Sequence, residues 1–129
     1  SFLSVHEGPQ RISPVGSSQS GGDEPLVAGM ILSNEPGYYK TGEYGIRIEN
    51  LVLVVEREID GAEKEMLGFE TLTFAPIDRR LVDVEMLDSE ELAWLNCYHA
   101  HVLAKIGPRL SGADLGWLQA ACAPIGDPA

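Results

Sequence analysis

Two glutamates set fourteen residues apart carry the clearest chemistry in this sequence: Glu35 in Ser33-Asn34-Glu35-Pro36-Gly37-Tyr38-Tyr39, and Glu49 in Tyr44-Gly45-Ile46-Arg47-Ile48-Glu49-Asn50. Each closes an apolar, strand-like run, Gly29-Met30-Ile31-Leu32 before the first and Ile46 with Ile48 around the second. An unpaired ionised carboxylate in an apolar setting is very costly, so each requires a partner. Two of them returned to one place by a hairpin suggest a cation between them. With His6 in Val5-His6-Glu7-Gly8-Pro9, the set reads as part of a metal-dependent hydrolytic site. Hard divalent ions prefer oxygen ligands, and Mn²⁺ accepts carboxylate and imidazole together. Two such ions about 3.5–4 Å apart can share a bridging carboxylate, activate a water and polarise the carbonyl it attacks. In a strand, Arg47 and Glu49 share a face, where Arg47 can orient a carboxylate ligand or a substrate carbonyl. The same residues permit a plainer reading, an Arg47–Glu35 or Arg47–Glu49 ion pair at a hairpin with no metal. Spacing alone leaves both open.

The elements that must position these residues are readable in outline. Ser13 to Glu24 is rich in Ser, Gly, Pro and Asp without periodicity, which predicts a loop. Leu26 to Leu32 reads as a turn and a short strand, punctuated by Pro36-Gly37, with a further turn at Lys40-Thr41-Gly42-Glu43. Tyr44 to Glu56 alternates and then turns continuously apolar, the pattern of one long strand passing from half-exposed to covered. Asp60-Gly61 is a hairpin-type dipeptide, and Phe69 to Phe74 alternates again. A small antiparallel sheet follows from these segments. Composition shifts after Asp78. Asp88-Ser89-Glu90-Glu91 has the signature of a capping box, and Leu92, Leu95, His99, Val102, Leu103 and Ile106 fall at helical spacing up to Gly107-Pro108. A second helix is expected from Ser111-Gly112-Ala113-Asp114, carrying Leu115, Leu118 and Ala121 and stopped by Pro124. The fold class is therefore α+β, with a sheet portion over 1–78 and a helical hairpin over 79–129.

The 129 residues suffice for a domain with a real core, and 44% hydrophobic content is ordinary for a globular chain. With 9 basic against 20 acidic residues the net charge is −11, which argues against a nucleic-acid partner and against docking on anionic lipid. No apolar run approaches a membrane span, and no signal peptide is readable. Cys97 and Cys122 lack metal-ligand spacing and read as reduced thiols of a cytoplasmic protein. His99 and His101 fall in the first helix, where a packing or solvated role is expected. The abrupt start at Ser1-Phe2-Leu3-Ser4-Val5 reads as the interior of a longer protein.

Taken in order, Val5-His6-Glu7-Gly8-Pro9, Gly29 to Tyr39 and Tyr44 to Asn50 closely resemble the end of the catalytic domain of Xaa-Pro aminopeptidases (aminopeptidase P), members of the pita-bread metallopeptidase family. Gly68 to Asp78 and Trp94-Leu95-Asn96-Cys97-Tyr98-His99 resemble the tail of the long branch of that group. The resemblance implies hydrolysis of the bond between an N-terminal residue and a following proline, with two divalent ions, usually manganese. It implies that Glu35 is a metal ligand, that Glu49 bridges the two ions, that His6 contacts substrate and steadies the tetrahedral intermediate, and that Arg47 stands behind the ligands. It also implies two aspartates and a histidine from segments N-terminal to this chain, so the isolated 129 residues are expected to be inactive. A prolidase-like dipeptidase of the same fold is the neighbouring alternative. A non-catalytic interaction module is a third reading, with the helices of 88–122 as its working surface. Trp94, Tyr98, Trp117 and Leu118 are candidates either for anchors of a homodimer through the C-terminal helices or for core.

Overall fold

The computed structural model describes residues 8–13 and 23–126, so His6 lies outside the described residues. Its contacts divide the chain into two compact units, Ser1–Thr73 and Phe74–Ala129. Among the described residues the first is built of strands and the second of helices, which gives the expected α+β class with antiparallel sheets followed by two helices.

Among the described residues the first unit has five strands: β1 (Ile31–Asn34), β2 (Gly37–Lys40), β3 (Tyr44–Arg47), β4 (Asn50–Arg57) and β5 (Met66–Thr71). β1, β4 and β5 form one sheet in the order β1-β4-β5, antiparallel throughout, and β2 with β3 forms a separate hairpin. Leu32 faces Val52 across β1 and β4, and these two with Val54 make the buried cluster, against which Leu26 and Met30 pack. Strand alternation puts Ile31, Ser33, Leu51 and Leu53 on the opposite face. That face is open: Ile31 and Leu51 are both exposed. The β2–β3 connection is a tight turn in which the Glu43 N–H donates to the Lys40 carbonyl at 3.0 Å, with Gly42 at φ +76° in the position that demands a positive φ. The turn at Asp60-Gly61 links β4 to β5 as the dipeptide predicted.

The second unit is built on α1 (Ser89–Ile106) and α2 (Gly112–Ala121). Asp88 caps α1 by accepting from the Glu90 and Glu91 backbone N–H groups, both at 2.8 Å, while the Glu91 carboxylate accepts from the Asp88 N–H at 3.0 Å. The reciprocal box satisfies donors that a helix start otherwise leaves unpaired. At the far end Gly107-Pro108 stops the α-helix as a 3₁₀ turn. Tyr98, Val102, Leu118 and Cys122 are the buried centre, packed by Phe74, Ile77, Leu103, Ile106 and Leu110. Burying one such aliphatic side chain stabilises by about 1.5–3 kcal/mol. The segment before α1 is a pair of 3₁₀ turns capped by Asp78 and Asp83, a feature that no periodicity announced. Arg80 clamps the Asp78 carboxylate and pushes its pKa down to about 2.

Of the two helix histidines, His101 is exposed and His99 is fully buried. His99 Nε2 accepts the Ile77 backbone N–H at 3.1 Å, and Nδ1 has no partner among the described groups. An accepting Nε2 carries no proton, so His99 is neutral here. Burial, and then the Arg79 charge, lower its pKa below the ordinary 6.5. The packing role expected of it is the observed one.

Candidate metal centre

The long strand expected over Tyr44 to Glu56 is in fact broken: β3 ends at Arg47, β4 begins at Asn50, and the two belong to different sheets. The partner strand breaks at the same level, between Asn34 and Gly37. Register is nevertheless preserved across the gap. Asn34 faces Asn50 on one side and Gly37 faces Arg47 on the other, so Glu35 stands opposite Glu49 and Pro36 opposite Ile48. The physical reasons for the break are both in the sequence. Pro36 has no N–H to give the ladder, and the one bond that survives at this level runs from the Ile48 N–H to the Pro36 carbonyl at 3.1 Å. Two carboxylates directly opposed across a strand pair repel one another.

A guanidinium offsets that repulsion. Arg47 Nη1 lies 3.0 Å from Glu35 Oε2 and 3.9 Å from Glu49 Oε2. Glu35 Oε1 accepts from the Ser33 hydroxyl at 2.8 Å, so both oxygens of this carboxylate are fixed. The remaining donor of interest, Arg47 Nε, gives its hydrogen to the Tyr39 hydroxyl at 2.8 Å. The Tyr39 hydroxyl, and then Glu35 and Glu49, raise the Arg47 pKa above the ordinary arginine value, so its charge is permanent. Alternation places Ser33, Glu35, Tyr39, Arg47 and Glu49 on one face of the interrupted ladder. Burial is graded along it: the Glu35 side chain is 27% exposed and that of Glu49 46%, so only the first is shielded from water.

Glu35, Glu49 and Arg47 are thus brought together as their spacing suggested, and the contacts of the plain ion-pair reading are present as well. Among the described residues, no group of three or more His, Cys, Asp and Glu side chains is placed to hold a metal ion. The donor set suits a hard divalent ion in kind, since both members are carboxylates converging on one cation already. It is incomplete in number, because such ions take about six oxygen ligands and two carboxylates supply at most four. Any metal here would be held by Glu35 and Glu49 together with groups from beyond the described residues.

The fold and this carboxylate pair define a class. The chain belongs to metallopeptidase family M24: residues 2–56 match the model of the family and residues 65–125 the model of its C-terminal region. Among its relatives, the probable Xaa-Pro aminopeptidase P of Laccaria bicolor is 46% identical over 96% of this chain, which spans 20% of that protein. Aminopeptidase P2 of Arabidopsis thaliana is 46% identical over 98% of the chain, which spans 18% of it. A solved structure, X-prolyl aminopeptidase of Caenorhabditis elegans, described as a cytosolic enzyme with a di-nuclear active site, superposes with a TM-score of 0.70. It is 43% identical, and the match covers 78% of this chain and 17% of that one. The chain therefore spans about a fifth of the curated relatives it matches, and its sheet and helices are those of the pita-bread fold.

Sequence reasoning did not single out Tyr39, which lies at the heart of the arrangement. A signal for it was present: glycine stands two residues before it at Gly37 and directly across from it at Gly45. A Cβ at Gly37 would meet the Tyr39 hydroxyl at 2.7 Å, and one at Gly45 would meet ring carbon Cδ1 at 2.7 Å. The ring lies on the floor those two glycines leave bare.

Proposed function

We propose that this chain supplies two carboxylate ligands, Glu35 and Glu49, to the dinuclear metal centre of an Xaa-Pro aminopeptidase. The observation that carries the reading is that the two glutamates stand opposite one another on one face and share a single guanidinium nitrogen. The names borne by the relatives supply the reaction: removal of an N-terminal residue that precedes proline. Two divalent ions, manganese in this proposal, supply an activated water and polarise the scissile carbonyl when bound.

The chain's own residues do the rest. Ser33 and Arg47 fix the plane of the Glu35 carboxylate, the outer support that ligand groups require to keep their aim. One positive charge against two negative ones leaves a net attraction for cations at this face while limiting the repulsion between the glutamates. His6, by resemblance, donates to the oxyanion that develops on the attacked carbonyl. We assign the substrate as a peptide with proline second, and the compartment as the cytosol. The second unit adds a surface: Trp94 and Trp117 are 56% and 63% exposed, which supports a homodimer formed through the C-terminal helices.

The test uses the complete gene product that carries this chain. It should bind two Mn²⁺ per polypeptide and cleave an Xaa-Pro peptide. Glu35→Gln and Glu49→Gln should each lower the metal count and abolish turnover. Unchanged stoichiometry in both variants would remove the reading.

A further inference from the structure

We propose that the second unit carries a docking groove for an extended, acidic peptide segment of another protein, one in which apolar and carboxylate side chains alternate. The groove runs between the Ala75–Asp78 segment and α2, and it uses neither Glu35 nor Glu49.

Its walls follow from the sequence. The proline ring fixes Pro76 and confines Ala75 before it to extended backbone, and Asp78 is extended too, with φ −66° and ψ 105°. Trp117, Ala120 and Ala121 fall at helical spacing on α2 and so share one face. The two alanines leave room beside the indole. The cavity between these walls measures about 750 Å³, large enough for a short peptide, and Ile125 lines it as well. Both walls are fixed before anything binds. The Tyr98 hydroxyl donates to the Ala75 carbonyl at 2.8 Å, and His99 Nε2 accepts the Ile77 N–H at 3.1 Å. Arg79 ties one wall to the other, donating from Nη1 to the Ala120 carbonyl at 2.9 Å and from Nη2 to the Pro124 carbonyl at 3.1 Å. A preformed groove spares its ligand the cost of ordering it.

Exposure, hydrogen bonding and charge together choose the occupant. Trp117 is 63% exposed, and an indole bared beside small residues accepts an apolar side chain. The bonded groups of Ala75 and Ile77 turn to α1, and in extended backbone those of Pro76 turn the other way. The Pro76 carbonyl meets no donor among the described residues, so a peptide N–H laid alongside pairs with it as an added strand does. The basic residues from 74 onward are Arg79, Arg80, Lys105 and Arg109, and the first two border this groove in a chain of net charge −11. Arg80 is neutralised by Asp78. Arg79 gives its Nη hydrogens to carbonyls and meets no carboxylate among the described residues. The carbonyl end of a helix offsets only about half a unit charge. Positive charge therefore remains at the mouth of an apolar groove, and an acidic side chain flanked by apolar ones complements it. Alternation along an extended peptide sends the apolar side chains inward and keeps the carboxylates at the rim.

The test uses the complete gene product labelled with fluorotryptophan, in which the Trp117 fluorine signal is the one lost on Trp117→Phe. An acetylated tetrapeptide of alternating leucine and glutamate should shift that signal saturably. The same peptide with lysine in place of glutamate should not. Ala120→Glu sets a like charge on the groove wall and should raise the half-saturating concentration about tenfold, whereas Ala120→Arg should lower it. The Trp94 signal, unmoved in both variants, reports that the fold stands. A Trp117 signal that ignores the acidic peptide, or answers the lysine peptide equally, overturns the proposal. One that moves with protein concentration and not with peptide gives the groove to a second copy of the chain, and overturns it too.

Discussion

The carboxamide of Asn96 makes both hydrogen bonds to the backbone of Ile125, accepting from its N–H at 2.8 Å and donating to its carbonyl at 3.0 Å. A side chain in the middle of α1 thereby acts as the missing strand for a residue beyond α2, and Ile125 is buried as a result. Asn96→Ala leaves a buried N–H and carbonyl unpaired, which costs about 1–3 kcal/mol. Urea denaturation of the two proteins measures this, and a difference within experimental error would show that water replaces the carboxamide freely.

His99 makes stability depend on pH. Its folded pKa lies below 6.5, so the unfolded chain binds the extra proton more readily. Stability is full above pH 6.5 and falls as the pH drops from there toward the folded value, by at most about 1.4 kcal/mol per pH unit. His99→Gln keeps an acceptor for the Ile77 N–H and cannot titrate. Its stability should be flatter between pH 7.5 and 5.5 (roughly the window of an ordinary histidine) than that of the wild type, and an equal slope would place the proton elsewhere.

Arg47 and the facing glutamates should behave as a coupled unit without any metal. Removing Arg47 with alanine exposes the Glu35–Glu49 repulsion and should destabilise the chain slightly. Adding Glu49→Gln to that variant should recover most of the loss, whereas Glu49→Gln alone should change little. A double-mutant cycle measured by chemical denaturation yields the coupling, and strict additivity would mean that the three side chains ignore one another.

Trp117 and Leu118 are neighbours with opposite fates. Leu118 is 2% exposed and Trp117 63%. Leu118→Ala should cost about 2–5 kcal/mol of stability through the cavity it leaves. Trp117→Ala paired with Trp94→Ala should weaken self-association, read by sedimentation over a range of protein concentrations, and cost stability only through the lost Trp94–Tyr98 stack. A wild-type chain that stays monomeric at every concentration would dismiss the dimer.

Legibility followed locality. The capping box at Asp88, the stop at Gly107-Pro108 and the Asp60-Gly61 turn are decided by residues within a few positions of one another, and each was readable in advance. The convergence of Glu35 and Glu49 was readable too, because one hairpin brings them together. The break in the long strand was not. Its cause is Pro36, which acts on residues 48 and 49 across the ladder and leaves no mark in the apolar run Leu51-Val52-Leu53-Val54-Val55. Tyr39 escaped for the same reason: its floor is a glycine on the facing strand. Trp94 and Tyr98 show how helical periodicity fails at ring size. They stack with centroids 5.6 Å apart, yet one is exposed and the other buried.

The unbroken register on either side of Glu35 and Glu49 makes the two-residue gap a pivot, with the β2–β3 ribbon as its lever. Whatever grips both carboxylates also clamps that pivot, so occupancy of the pair should be felt at the tip near Gly42. Amide protons of Tyr38 and Lys40, which face β3 in the hydrogen-bonded pairs of the register, would then slow their exchange on cation addition, a remote gauge of whether the clasp is closed.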